Sequence, residues 1–217
     1  MGVFIALARH GETADNARRI FQGQTGKGLN RLGRAQAGRL GLRAKELGIT
    51  AIVASDLERA AETARIVAEA CGAPVELDRG LREVDVGTWS GKSYEDVRRA
   101  HPDEWEAWEA GLDVRRGGGE TYAELAERVD AAIQGIVTRH GAEPARRVLI
   151  VSHGGAIRSW VNKVLGVAAV STRALGVCAN TGLTVVEREM NAPSTYRLHS
   201  WNDVTHLEGL VREEHAD

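Results

Sequence analysis

Three short segments carry the residues best suited to chemistry: Arg9-His10-Gly11-Glu12-Thr13, Ser55-Asp56-Leu57-Glu58-Arg59 and Ser152-His153-Gly154-Gly155. Two histidines could hold a metal. The chain, however, has no His-Glu-x-x-His and no cysteine cluster at metal-ligand spacing. Arg9 adjoins His10, and a guanidinium keeps its proton at any accessible pH. A permanent positive charge opposes a divalent cation and favours an anion, and the guanidinium fork matches phosphate oxygens in pairs. The residue types therefore point to a phosphate group, with no metal and no cofactor.

Each segment follows a short apolar run. Val3 to Ala8, Ala51 to Ala54 and Val148 to Val151 read as strands buried on both faces. Leu32, Gln36, Leu40 and Leu47 follow helical spacing, with Gly48 as a helix stop. Ser55 with Glu58 reads as a capping box opening a helix whose face is Leu57, Ala61, Ala64, Ala68 and Cys71, ended by Gly72. Thr121 with Glu124 reads as a second box, opening a helix that carries Leu125, Val129, Ile133, Ile136 and Val137 and stops at Gly141. A further helix carries Ile157, Trp160, Val161, Val164 and Leu165. Val75 to Leu77, Leu183 to Val186 and Tyr196 to Trp201 read as strands, the last two joined through a turn at Asn191-Ala192-Pro193. Strands alternating with amphipathic helices predict an α/β fold, a three-layer α/β/α sandwich around a mostly parallel sheet. Ligands of such sheets bind beyond the carboxyl ends of the strands. If the three apolar strands are neighbours, two histidines and two arginines converge there.

The 217 residues suffice for one domain spanning 1–217, large enough to bury its core without a disulfide or a structural metal. Residues 92–119 depart from the alternating pattern. They hold Trp105 and Trp108 and end in Arg115-Arg116-Gly117-Gly118-Gly119, which reads as a cap-like insertion over a site. A net charge of −2 argues against nucleic acid as a partner. Cys71 and Cys178 are expected to be buried, reduced thiols. The apolar N-terminal stretch is too short to span a membrane and lacks a basic lead-in. A cytoplasmic protein with no membrane partner is expected, and a homodimer is left open.

Leu-Ala-Arg9-His10-Gly11-Glu12-Thr13-x-x-Asn16 resembles the signature of the histidine phosphatase superfamily, which includes the cofactor-dependent phosphoglycerate mutases. The resemblance continues in family order through Ser55-Asp56-Leu57-x-Arg59-Ala60-x-x-Thr63, Leu81-x-Glu83-x-x-x-Gly87-x-Trp89-x-Gly91, Gly118-Gly119-Glu120 and Val151-Ser152-His153-Gly154-Gly155. It implies a phosphoglycerate mutase-like fold and a role for each matching position. His10 matches the nucleophile. Arg9, Arg59 and His153 match the pocket for the phosphoryl oxygens. Glu83 matches the general acid, Asn16 and Gln22 match contacts to phosphate or leaving group, and Gly154 offers a backbone N–H. Such chemistry passes through a phosphohistidine, dividing one hard step into two. Fixed cationic donors stabilise the transferring phosphoryl group, each worth on the order of 3 kcal/mol in barrier.

The family's mutases carry a longer segment after the general acid, with an Arg-Arg pair and a proline-rich stretch. Here the segment is short and Glu109-Ala110 stand at the matching place, while Gly-Gly-Gly-Glu120-Thr121 is similar to the phosphatase branch. The resemblance thus favours a phosphatase acting on a small phosphorylated metabolite. A 2,3-bisphosphoglycerate-dependent phosphoglycerate mutase is the first alternative, and a non-catalytic module binding phospho-ligands the second. Arg115 and Arg116 are candidate ligands for a carboxylate or second phosphate on the substrate.

Overall fold

The strand Val3–Arg9 (β1) is apolar almost throughout, and its alternate side chains enter two different cores. Such a strand is stable only between two layers of helix. The computed structural model, which describes residues 3–140, 146–168, 175–189 and 196–210, supplies both layers.

The remaining elements follow in order. Ala14–Ala17 (α1) is a single turn, closed by a capping box between Thr13 and Asn16. Arg31–Glu46 (α2), Ala51–Ala54 (β2), Glu58–Cys71 (α3) and Val75–Leu77 (β3) form the next stretch. Tyr94–Ala100 (α4) and Pro102–Glu109 (α5) lie within the segment read as an insertion. Tyr122–His140 (α6), Arg147–Ser152 (β4), Gly154–Val164 (α7), Leu183–Arg188 (β5) and Tyr196–Asp203 (β6) complete the chain.

The sheet has six strands in the order β3-β2-β4-β1-β5-β6. The first four are mutually parallel, and β5 and β6 add two antiparallel strands at one edge. Pleating sends Ile5, Leu7, Val53, Val148 and Ile150 to one face, where α6 and α7 bring Leu125, Ile133, Ile157 and Trp160. Ala6, Ala8, Ile52, Ala54, Leu149 and Val151 face α2 and α3, meeting Leu40, Ala44, Ala64 and Val67. The alanines on this face give the two helices room to sit low on the sheet. Gly41 does the same between the helices, since a Cβ there would lie 2.7 Å from that of Ala70.

This is the expected three-layer sandwich, with the antiparallel edge accounting for the word "mostly". The register sets Arg9 beside Ser152, Ala8 beside Val151, and Val151 beside Ala54. The chain therefore leaves β1, β4 and β2 side by side, at His10, His153 and Ser55.

Two local expectations need correction. Ser55 does not cap α3; Leu57 occupies the cap position with no side-chain hydrogen bond, and the Ser55 hydroxyl instead contacts His153 Nε2 at 2.8 Å and accepts from the Leu57 amide at 3.3 Å. Cys71 is only partly buried, while Cys178 is buried, and neither forms a disulfide. The Thr121–Glu124 box forms as read, each side chain accepting from the other residue's amide at 3.1 Å. The expected stop at Gly141 and the turn at Asn191-Ala192-Pro193 lie outside the described residues. No helix among the described residues is long and apolar enough to cross a membrane.

Candidate active site

His10 leaves the end of β1 with its ring buried. Its Nδ1 is 2.7 Å from the Gly11 carbonyl oxygen, which can only accept, so Nδ1 carries the proton and donates. That leaves Nε2 with a lone pair, and the Nε–H of Arg59 approaches it at 3.3 Å. Two contacts thus select one tautomer. The geometry depends on glycine at position 11, where a Cβ would come within 2.4 Å of the Gly33 carbonyl oxygen. The Gly11 N–H also donates to the Thr63 hydroxyl at 3.0 Å, tying this turn to α3.

Arg59 lies one residue into α3 and is buried. Its Nη1 and Nη2 donate to the carbonyl oxygens of Thr25 and Gly23 at 2.6 and 2.7 Å, which fixes the guanidinium plane. Burial, partly offset by Glu83, pushes its pKa down to about 10, so it remains charged at neutral pH. Arg9 donates from Nη1 to the Cys178 carbonyl oxygen at 2.7 Å, while its buried Nε–H has no protein acceptor.

His153 stands at the end of β4, fully buried, its ring centroid 5.1 Å from that of His10. Nε2 contacts the Ser55 hydroxyl and Nδ1 is buried without a protein partner. Burial, followed by the charge of Arg59, holds both imidazoles well below the ordinary histidine pKa. Both are therefore neutral at pH 7, as a nitrogen nucleophile requires.

Glu83 faces these groups from the loop after β3. Its Oε1 accepts from the amides of Val84 and Ala156 at 2.9 and 3.0 Å, and its Oε2 from that of Gly155 at 3.0 Å. The carboxylate thus sits on the N-terminal turn of α7, where the helix dipole favours negative charge. A Cβ on Gly155 would lie 2.5 Å from Oε1, so that position must be small. Neighbouring Arg82 is spoken for by Asp56, through paired hydrogen bonds of 2.6 Å. The loop is clamped from behind by Arg128, which donates to the carbonyl oxygens of Gly80, Arg82 and Glu83 while paired with Glu120.

These side chains bound a cleft of about 310 Å³. Of the residues singled out from sequence, Arg9, His10, Asn16, Gln22, Arg59, Glu83, Arg116 and Gly154 line it, and His153 is buried against His10, its ring tilted by 59°. Arg115 does not join them. It is exposed, pairing with Glu124 and donating to the Gly119 carbonyl oxygen at 3.1 Å. A tight turn that begins at Arg116 and runs to Gly118 directs Arg116 inward while Arg115, just before it, stays exposed. The glycines that follow serve close packing: a Cβ on Gly117 or Gly119 would lie 2.6 or 2.1 Å from the carbonyl oxygens of Val86 and Asp85.

The sequence reading placed Trp108 and Arg116 over the site but missed the rest of the outer wall of the cleft. Phe21 stacks on Tyr94 at 4.3 Å between ring centroids and meets Trp108 edge-on at 5.7 Å. Tyr122, Arg158 and Cys178 also line the cleft. Arg158 was detectable, since it falls four residues after Gly154 and so shares its helix face. Phe21 and Tyr94 carried no such signal. Among the described residues, no cluster of three or more His, Cys, Asp or Glu side chains is arranged to hold a metal.

The model of the histidine phosphatase superfamily (branch 1) matches residues 5–204. A curated protein of Salmonella paratyphi B, named "Probable phosphoglycerate mutase GpmB", is 36% identical over 218 residues, covering 97% of each chain. A mycobacterial glucosyl-3-phosphoglycerate phosphatase, solved with VO3, superposes with a TM-score of 0.84 at 30% identity, covering 92% of this chain and 99% of that one. Bacillus stearothermophilus YhfR gives the same TM-score and identity, covering 95% and 100%. The match to the family model runs from β1 past β6 and takes in every catalytic candidate named above, so the chain belongs to the histidine phosphatase superfamily, branch 1.

Proposed function

We propose that this chain is a phosphatase that hydrolyses a small phosphomonoester through a phosphohistidine on His10. The observation that carries the reading is the placement of His10: a buried imidazole with Nδ1 on the Gly11 carbonyl oxygen and Nε2 facing Arg59, in surroundings that lower its pKa and so favour the neutral form. In the first step Nε2 attacks phosphorus and the P–O bond to the alcohol breaks. Arg9, Arg59, the His153 Nδ1–H and the Gly154 amide hold the three phosphoryl oxygens, with the Ser55 hydroxyl donating to His153 Nε2. Charge that spreads over those oxygens meets fixed donors that need not reorganise. Glu83 must carry a proton for this step, against the three amides that favour its carboxylate, and it gives that proton to the departing alkoxide. In the second step the Glu83 carboxylate takes a proton from water, the water oxygen attacks phosphorus, the P–N bond breaks, and inorganic phosphate leaves. Asn16 and Gln22, which line the same cleft, would contact the phosphate or the leaving group.

The volume of the cleft suits a metabolite. The short segment between Glu83 and α6 favours hydrolysis over transfer, because a mutase must keep water from its phosphoenzyme. The solved phosphatase at 30% identity supports the same choice. The name of the 36% identical relative supports the second reading, a phosphoglycerate mutase. One assay separates them: 3-phosphoglycerate supplied with 2,3-bisphosphoglycerate, with phosphate release and isomerisation followed together. Phosphate release that depends on His10 is expected. Efficient isomerisation with little free phosphate would establish the mutase instead, equal ester hydrolysis by the His10→Ala variant would remove catalysis by His10, and no turnover of either substrate would leave a binding module.

A further inference from the structure

We infer that Arg116, with Arg158 beside it, forms a second anion subsite in the cleft, built for a carboxylate carried by the same molecule as the phosphate. This deepens the phosphatase reading by naming a substrate class, and it rests on that reading for the placement of the phosphate. Arg116 is 3% exposed and lines the same cleft as His10. Its guanidinium lies 4.3 Å from the Tyr122 ring centroid and 6.0 Å from that of Trp108. Its Nε and Nη2 are buried with no hydrogen-bond partner in the protein. No ion pair among the described residues includes Arg116 or Arg158, whereas adjacent Arg115 is paired with Glu124. A buried charge left this way is costly, and aromatic contact offsets only part of the cost.

The particular atoms narrow the ligand. Nε and Nη2 lie on one edge of the guanidinium, where two parallel N–H bonds fit two oxygens of one planar anion. Arg158 adds positive charge at the same tyrosine, donating from Nη2 to the Tyr122 hydroxyl at 3.4 Å, with its own Nε buried and unpartnered. The phosphate end of the cleft has Arg9, Arg59, His153 and a helix terminus for a doubly charged group. Here a single fork is free, which suits a singly charged carboxylate better than a second phosphate.

The test is equilibrium binding, by calorimetry, in a His10→Ala background that prevents turnover. The probes are 3-phosphoglycerate and glycerol 3-phosphate, which differ only by a carboxylate in place of a hydroxymethyl group. The carboxylate should tighten binding about tenfold or more, as expected for a charge-assisted pair out of water. Adding Arg116→Met should bring the ratio of the two affinities close to one. Arg116→Lys, which keeps the charge but loses the fork, should lower the ratio in part and provides a milder variant if the methionine one does not fold. Equal affinities in the parent, or a ratio undiminished by either substitution, would overturn the subsite. Preference for 1,3-propanediol bisphosphate over 3-phosphoglycerate would overturn its assignment to a carboxylate. A purely structural role for Arg116 would lower stability without moving the ratio. None of these outcomes depends on hydrolysis, so failure of the phosphatase reading would register separately.

Discussion

The inner end of the cleft and its outer wall are made in different ways. At the inner end, His10, His153 and Ser55 follow three adjacent parallel strands, and Arg59 follows four residues after Ser55. Backbone pairing fixes their separation to within a strand spacing, and backbone carbonyls hold Arg59 and the His10 ring in place. The outer wall collects Phe21, Tyr94, Trp108, Arg116 and Tyr122 from separate loops and helices, and apart from the backbone bridge at Ile20 and Ser93 side-chain packing sets their distances. The first kind of construction suits a reaction whose charge distribution is the same for every phosphoester. The second can be rebuilt residue by residue for a different alcohol while the chemistry stays intact.

If this division is right, changes at the inner end should slow every substrate, and changes at the wall should alter the choice among substrates. The largest effect short of losing the nucleophile is expected from Glu83→Gln. An alkyl phosphate should lose about 10²- to 10⁴-fold in kcat/KM, which reports the first step alone; that is the usual worth of a positioned acid. A p-nitrophenyl ester, whose leaving group needs no proton, should lose much less at the first step. Equal losses on both esters would remove Glu83 from the acid role. Next, Arg59→Met should cost about 10²- to 10³-fold in kcat/KM on alkyl and aryl esters alike. A loss confined to one ester would move Arg59 from the shared end to the selective wall. Circular dichroism would check that α3 still forms, since Arg59 also anchors the loop at Gly23 and Thr25.

Smaller effects sharpen the contrast. Trp108→Leu should change the ratio of kcat/KM between a bulky and a small phosphoester by less than about tenfold, the scale of modest apolar contacts. A uniform loss across esters would show the wall to be part of the catalytic frame. The smallest perturbation is protonation. Because burial and the neighbouring arginines depress both imidazoles, they should remain neutral as pH falls through about 6.5, where a free histidine gains its proton. The sign follows from the direction: these groups favour the folded state above that pH, and the contribution is lost as pH falls toward their lower folded values. Nitrogen chemical shifts of the imidazoles check this in phosphate-free protein, and a midpoint at or above 6.5 would contradict it.

The same division explains what could be read without coordinates. The inner end was legible because each strand is a short apolar run ending in a polar motif, and parallel pairing is a strong constraint on where those motifs go. Arg59 was legible only through its place in a motif, since nothing in its helical periodicity distinguishes it from a surface arginine. The Ser55 hydroxyl was misassigned because a capping box and a serine serving a histidine look alike in sequence. Arg115 and Arg116 could not be told apart, because a turn ending in glycines with positive φ decides which of them points inward. Phe21 and Tyr94 meet across 73 positions of chain through a bridge at Ile20 and Ser93, a pairing that leaves no periodic trace.

The central claim is that the phosphoryl group passes through Nε2 of His10. Rapid acid-free quenching of the enzyme with a ³²P-labelled phosphoester, followed by peptide mapping, tests it most directly. The expected result is a base-stable, acid-labile label on His10 that appears before free phosphate and is absent from the His10→Ala variant. Free phosphate formed with no labelled intermediate, or a label that survives acid or maps to another residue, would contradict it.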